Sequence, residues 1–250
     1  MSVTIPAGPL ARGWLSVRTA SVKDAGRPQL DRSIYIEQFG QGLRLTAADS
    51  YLLLSAWVPA LHHELEAAPS DDEIPYAAAV ALDPYGRAAG LLGHMLALWK
   101  SDEAKTVDLN LVVHLNVPWQ PAEIPSAELQ LDGFAALAVT IEHPDHERVQ
   151  LEVYEGDYPD TRRLFASHKP GRPDVLALTG HMLARLGKAA KVHGDGTVVH
   201  HRFGGALKPV LVTFGEEPEV RGLAMPCAWD LARDAPAVSA REVGDEVCVP

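Results

Sequence analysis

The side chains with the most chemical reach in this 250-residue chain are its histidines, arginines and lysines. Clustered histidines would suit a bound metal and metal-assisted hydrolysis. His62-His63 are adjacent and diverge on any regular element, while His200-His201 alternate faces in a strand. In His143-Pro144-Asp145-His146-Glu147 the proline and charges read as a turn between strands. None of these has H-E-x-x-H or a comparable zinc spacing. Cys227 and Cys248 are too few for a disulfide scaffold and too far apart for a zinc knuckle. No G-x-S-x-G elbow, P-loop or dinucleotide fingerprint occurs, and Gly204-Gly205 lacks a following helix and reads as a turn. We therefore expect a protein that is not an enzyme, with no catalytic residue, no metal and no cofactor.

The basic residues offer a different chemistry, attraction of phosphate without reading of bases. A net charge of -11 argues against this at first, because an acidic surface repels nucleic acid. Distribution changes the inference. In a helix expected from about Pro9 to Asp24, Leu10, Trp14 and Val17 form one stripe and Arg12, Ser16, Thr19 and Lys23 another. A second helix is signalled by Asp83 as cap, Pro84 in the first turn and the stripe Ala88, Leu91, Leu92, Met95 and Trp99, with Arg87 and His94 on its free face. A third is expected from about Thr179 to Val192, with Met182, Leu183, Leu186 and Ala190 on one side and His181, Arg185, Lys188 and Lys191 opposite. Charges on one helix face are usually just solvated. Here the arrangement recurs in three helices, while strands and loops carry most of the Asp and Glu.

The elements that position these helices are strands. Ser33–Gln38, Leu43–Ala47 and Tyr51–Val58 follow the first helix, with Phe39-Gly40-Gln41-Gly42 as a turn. Further strands are expected at Thr106–Leu115, Phe134–Glu142 and Arg148–Tyr154, and then at Val198–Phe203, Val210–Phe214 and Val220–Met225. One amphipathic helix followed by several short strands thus occurs three times, a degenerate repeat in which each helix buries one face on a sheet. The composition, 47% apolar and 22% charged, is that of a soluble globular protein. No run approaches the roughly 18 apolar residues of a membrane span. Met1 to Pro9 lacks a signal-peptide pattern, so a cytoplasmic location is expected.

Three segments resemble the bacterial DNA polymerase III β sliding clamp family. Gly42-Leu43-Arg44-Leu45-Thr46-Ala47-Ala48-Asp49, continued by Ser50-Tyr51-Leu52-Leu53, is similar to a clamp strand-turn-strand that typically ends in T-x-T-D or A-T-D. Tyr154-Glu155-Gly156-Asp157-Tyr158-Pro159-Asp160-Thr161-Arg162-Arg163-Leu164 resembles the interdomain D-G-x-F-P-D-Y-R-R-V. Arg221-Gly222-Leu223-Ala224-Met225-Pro226-Cys227 resembles the final strand, V-M-P-M or L-M-P-V. By this resemblance, residues 1–166 form a clamp domain similar to the middle one, with an insertion around 117–128. Residues 167–232 match the second half of the last domain, and 233–250 form a tail. A short, divergent, bacteriophage- or plasmid-borne member is expected.

The resemblance implies an α+β clamp fold, in which repeated helix-on-antiparallel-sheet modules form a ring and helices line a channel for duplex DNA. Candidate channel residues are Arg12, Lys23, Arg87, Arg185, Lys188 and Lys191. It also implies an apolar pocket for peptide tails of DNA polymerase and the clamp loader, carried over to Ala48, Ser50, Leu53, Pro159, Leu164, Leu223, Met225, Pro226 and Cys227. Ala48 stands where Thr is usual, Ser50 for Gly and Cys227 for Met or Val, so peptide preference is expected to differ. Core packing is the ordinary alternative for the apolar positions, and a surface ion pair for Arg162-Arg163. The chain is short for a ring that closes as a dimer, so a homotrimer is the preferred assembly. The competing function is a non-ring clamp-like interaction or inhibitor protein.

Overall fold

Alternating apolar and polar residues, punctuated by glycine turns, fold the chain into antiparallel sheets. The computed structural model describes residues 2–23, 26, 28–61, 69–70, 73, 75, 77–82, 84, 110–115, 139–142, 149–154, 158–171, 177–204, 208–215 and 219–226. Apart from Pro84, the expected helix over 83–99 with Arg87 lies outside the described residues, as do the 117–128 insertion, His62-His63, the 143–147 cluster, Cys227 and the 233–250 tail. Strand β1 (Ser2–Pro6) leads into helix α1 (Ala7–Arg18), and a 3-10 turn at Leu30–Arg32 precedes β2 (Ser33–Phe39), β3 (Gly42–Ala48) and β4 (Leu52–Pro59). Then come β5 (Ala77–Leu82), β6 (Asn110–Leu115), β7 (Val139–Glu142), β8 (Val149–Leu151) and β9 (Val153–Tyr154). Helices α2 (Thr161–Ala166) and α3 (Gly180–Lys191) are followed by β10 (His200–Arg202), β11 (Val210–Phe214) and β12 (Val220–Ala224).

Local chemistry sets the helix ends. Pro9 sits in the first turn of α1, where its missing N–H costs nothing. The helix stops at Arg18, earlier than its sequence periodicity suggests. There the Thr19 and Ser21 hydroxyls donate to the carbonyls of Ser16 and Arg18, both at 2.8 Å, and take over the last turn. Helix α3 matches its expected limits: Thr179 Oγ1 accepts the Met182 N–H at 3.2 Å, and Lys188 and Lys191 complement the negative end of its dipole.

Among the described residues the strands form two sheets, ordered β1-β6-β7-β8 and β10-β11-β12-β4-β3-β2-β5-β9, with every pairing antiparallel. The larger sheet runs unbroken from the N-terminal strands to β12, because β12 pairs directly with β4. Gly42 makes the β2–β3 turn possible. Its φ of 154° is rare for a side-chain-bearing residue, and an added Cβ would sit 2.9 Å from the Pro59 Cα.

One face of the large sheet carries Ile34, Ile36, Leu45, Leu52, Leu54, Val212, Phe214 and Val220. Leu10, Trp14 and Val17 of α1 cover it together with Met182, Leu186, Ala189 and Ala190 of α3. Leu183, expected on the buried side of α3, is 49% exposed, and Ala189 takes the buried place. The helix presents a narrow stripe to α1 and the sheet, and Leu183 falls beside it. The two helices meet through Ser16, fully buried, whose hydroxyl donates to the Ala189 carbonyl (3.3 Å) and lies 3.0 Å from His193 Nε2.

Burial, reinforced by the nearby Arg12 guanidinium, pulls the His193 imidazole down to about 4 from its ordinary value. Between about 6.5 and 4 the unfolded chain takes up a proton that the folded helix pair refuses. His193 therefore adds nothing to the pH dependence above that window, and its protonation costs stability as pH falls through it. Melting temperature should decline as pH is lowered from 7 to 4.5, and His193→Gln should flatten that slope in calorimetric scans.

Candidate functional site

The other face of the large sheet is where the sequence motifs converge. In the β4–β12 register Leu53 lies opposite Leu223, while their neighbours Leu52, Leu54 and Ala224 belong to the core beneath the helices. Alternation therefore turns Leu53 and Leu223 outward, where they form a separate apolar cluster with Phe165 of α2, flanked by Ala48 and Leu211. On the turn, helix and strand end that carry it, Tyr51 (59%), Leu164 (49%) and Met225 (38%) are exposed.

Hydrogen bonds hold the edge of this cluster. Asp49 Oδ1 accepts the N–H groups of Tyr51 (2.7 Å) and Leu52 (2.8 Å), which fixes the turn through Ser50. The Tyr51 carbonyl in turn accepts the Met225 N–H at 2.8 Å. Asp160 caps α2 by accepting the Arg163 N–H at 3.2 Å, and the Arg221 guanidinium lies 4.3 Å from the Phe165 ring centroid. Further along the same face Tyr158 stacks on Tyr35 at 4.5 Å, and Arg162 lies 3.6 Å from the buried Glu37 carboxylate and donates to the Glu73 carbonyl. Arg162 is thus a half-buried anchor for the 158–171 segment and not a surface pair.

Of the pocket residues inferred from sequence, Ala48, Leu53 and Leu223 share the apolar cluster, and Ser50, Met225 and Leu164 sit on its turn, strand end and helix. Pro226 follows Met225 half-exposed, and Cys227 lies outside the described residues. Pro159 is exposed on the lead into α2, beside the Tyr35–Tyr158 stack. Phe165, Leu211 and Tyr51 were missed. Phe165 was legible as the apolar neighbour of Leu164, and Leu211 as an outward position of an alternating strand.

The basic residues divide. Lys188 and Lys191 are exposed on α3, Lys191 in a loose solvated pair with Asp195 at 3.4 Å, and Lys23 is exposed beyond α1. Arg12 is half-buried and lines a cavity of about 850 Å³ with His193, Thr197, His200 and Glu219. Arg185 departs from its expected free face. Its Nη1 lies 2.6 Å from Asp49 Oδ2, its Nε donates to the Thr19 carbonyl at 2.7 Å, and its side chain is 12% exposed. The turn carboxylate and the end of α1 converge on it and draw it out of the solvated stripe. Among the described residues no group of three or more His, Cys, Asp or Glu could hold a metal, and no helix is long and apolar enough to cross a membrane.

The same architecture recurs in solved structures. A protein described as a DNA polymerase III β subunit from Eubacterium rectale is similar over 92% of this chain and 66% of its own (TM-score 0.56, 10% identity). The DNA polymerase sliding clamp from Bacillus subtilis is similar over 92% and 64% (0.52, 14%), and the DNA polymerase III β subunit from Thermotoga maritima over 94% and 68% (0.51, 10%). The chain therefore has the sliding-clamp fold. More narrowly, the fold is that of the DNA polymerase III β subunit, and the chain spans about two thirds of the length of these neighbours. No protein-family profile matches the sequence, and no curated protein matches it by sequence.

The β4–β12 seam also makes a stability prediction. A Cβ on Gly222 would approach the Leu53 carbonyl oxygen to 2.6 Å and Val212 Cγ2 to 3.1 Å, and the carbonyl cannot move without breaking the pairing. Gly222→Ala should cost roughly 1–3 kcal/mol in chemical denaturation, the range of overpacked sites.

Proposed function

We propose that this chain is a divergent sliding clamp, a homo-oligomer that encloses duplex DNA without reading its sequence and captures peptide tails of DNA polymerase and the clamp loader. The reading is carried by one observation: the β4–β12 pairing sets Leu53 against Leu223 in a buried apolar cluster edged by the exposed Tyr51, Leu164 and Met225, which we read as the floor of a peptide cleft, within a fold shared with sliding clamps. Such a cleft suits the Leu and Phe side chains of an extended peptide, each worth about 1.5–3 kcal/mol when fully buried. Met225 is unbranched and adapts to different sequences. Ala48, Ser50, Leu53, Leu164, Leu223 and Met225 form the working set, with Pro159, Pro226 and Cys227 carried from the sequence motif.

Duplex DNA belongs on the opposite side of the sheet, against α1 and α3. Lys188, Lys191, Lys23 and Arg12 are its candidate contacts, Arg87 is retained from the sequence alone, and Arg185 is withdrawn because Asp49 occupies it. Exposed lysines on a helix give weak, salt-sensitive phosphate attraction that permits sliding. A trimer remains our preferred ring.

A second reading, a non-ring clamp-like interaction or inhibitor protein, is favoured by the odd half-module. Among the described residues α3 and β10–β12 have no lead strand equivalent to β1 or β5. Light scattering separates the two readings, since a ring gives one defined oligomer and the alternative a monomer.

Two variants test the sites. Met225→Arg should abolish calorimetric binding of a Leu- and Phe-bearing pentapeptide, and undiminished affinity would move the cleft elsewhere. Lys188→Glu with Lys191→Glu should lower retention on circular DNA and stimulation of a polymerase, with oligomer size unchanged. Normal processivity after both changes would remove α3 from the DNA face.

A further inference from the structure

We propose that Arg185 is a positioning residue for the peptide cleft, acting from the helix side of the sheet through Asp49; this rests on the cleft being the peptide site. Four links make the connection. Arg185 Nη1 contacts Asp49 Oδ2 at 2.6 Å while Nε donates to the Thr19 carbonyl at 2.7 Å, so the guanidinium fork ties α3 to both the β3–β4 turn and the end of α1. Asp49 Oδ1 then accepts the Tyr51 and Leu52 N–H groups. The Tyr51 carbonyl accepts the Met225 N–H, and that brings the last link to the cleft rim.

The geometry gives the ion pair a specific task. Asp49 and Arg185 side chains are 5% and 12% exposed, so the pair is largely removed from water and from salt screening. The carboxylate uses one oxygen for the turn and the other for the guanidinium, and its orientation is fixed from both ends. A free Asp49 carboxylate would rotate, and the Ser50–Tyr51 turn and the Met225 strand end would lose their common anchor. The exposed apolar rim at Tyr51 and Met225 has little packing of its own to hold it. Preorganisation of that rim therefore depends on a cation that lies on the DNA-facing helix. Chains of discrete hydrogen bonds of this kind are physical routes by which one face of a protein biases a site on another.

The test compares wild type, Arg185→Ala, Arg185→Lys and Asp49→Asn by calorimetry with a Leu- and Phe-bearing pentapeptide, and by amide hydrogen exchange. Arg185→Ala should weaken the peptide about two- to thirtyfold, the range of such couplings, and speed exchange at Tyr51, Leu52 and Met225. Asp49→Asn keeps an acceptor for the turn but loses the charge, and should weaken binding as well. Arg185→Lys restores the charge to Asp49 and should recover part of the affinity, which a general loss of fold would not allow. If Arg185→Ala unfolds, the lysine and asparagine variants decide the matter by the same two readouts. Wild-type affinity and unchanged exchange in the folded variants would overturn the proposal while leaving the cleft intact. Loss of DNA retention with full peptide affinity in Arg185→Ala would also overturn it and return Arg185 to the DNA face. A wild-type chain that fails to bind the pentapeptide would overturn the cleft and this inference together.

Discussion

The pairing of β12 with β4 is the contact on which the rest of the molecule depends. It joins the N-terminal strands to the C-terminal ones in one eight-stranded sheet, and five paired positions set its register. Because side chains alternate, that register alone decides which residues enter the core and which emerge. A slip of β12 by one residue would carry Leu223 under the helices and turn Ala224 onto the opposite face. Gly222 protects the register by allowing a backbone approach that no side chain would permit.

From this seam the two faces acquire different characters. One is sealed by α1 and α3 over a continuous core and carries lysines on its outer surface. The other holds buried polar side chains, such as Glu37 and Arg44, and the 158–171 segment crosses it until Phe165 packs on Leu53 and Leu223. Within an overall charge of -11, the exposed cations on the helix-covered side are Lys188 and Lys191 of α3 and Lys23 past α1, while Arg163, Lys169, Arg202 and Lys208 are exposed elsewhere.

Much of this was legible in the sequence, for identifiable reasons. Strand β2 announces itself by its β-branched and aromatic residues, β3 by the alternation of Leu43, Leu45 and Ala47 with Arg44 and Thr46, β4 by its apolar run, and α3 by Thr179 and its stripe, because local pattern and tertiary role agree there. Strand β5, Ala77–Leu82, was missed because alanine has little strand preference. It is a strand because β2 offers it six paired positions. Strand β1 is five residues ending in proline, too short to give a periodic signal. Helical phase correctly placed Lys188 and Lys191 outward, yet it misassigned Arg185. Phase fixes the direction in which a side chain leaves the helix, and a long arginine then bends toward whatever acid a distant turn supplies. The site motifs were visible as three separated segments, but only the strand register shows that Leu53 and Leu223 meet.

The most direct measurement of the central claim is a titration of isotope-labelled protein with a Leu- and Phe-bearing pentapeptide, followed by amide chemical shifts. A cleft at the β4–β12 seam predicts saturable shifts concentrated at Ala48–Leu53, Leu164–Phe165 and Leu223–Met225. Shifts clustered instead around Arg12, His193 and His200, or none that saturate, would contradict it.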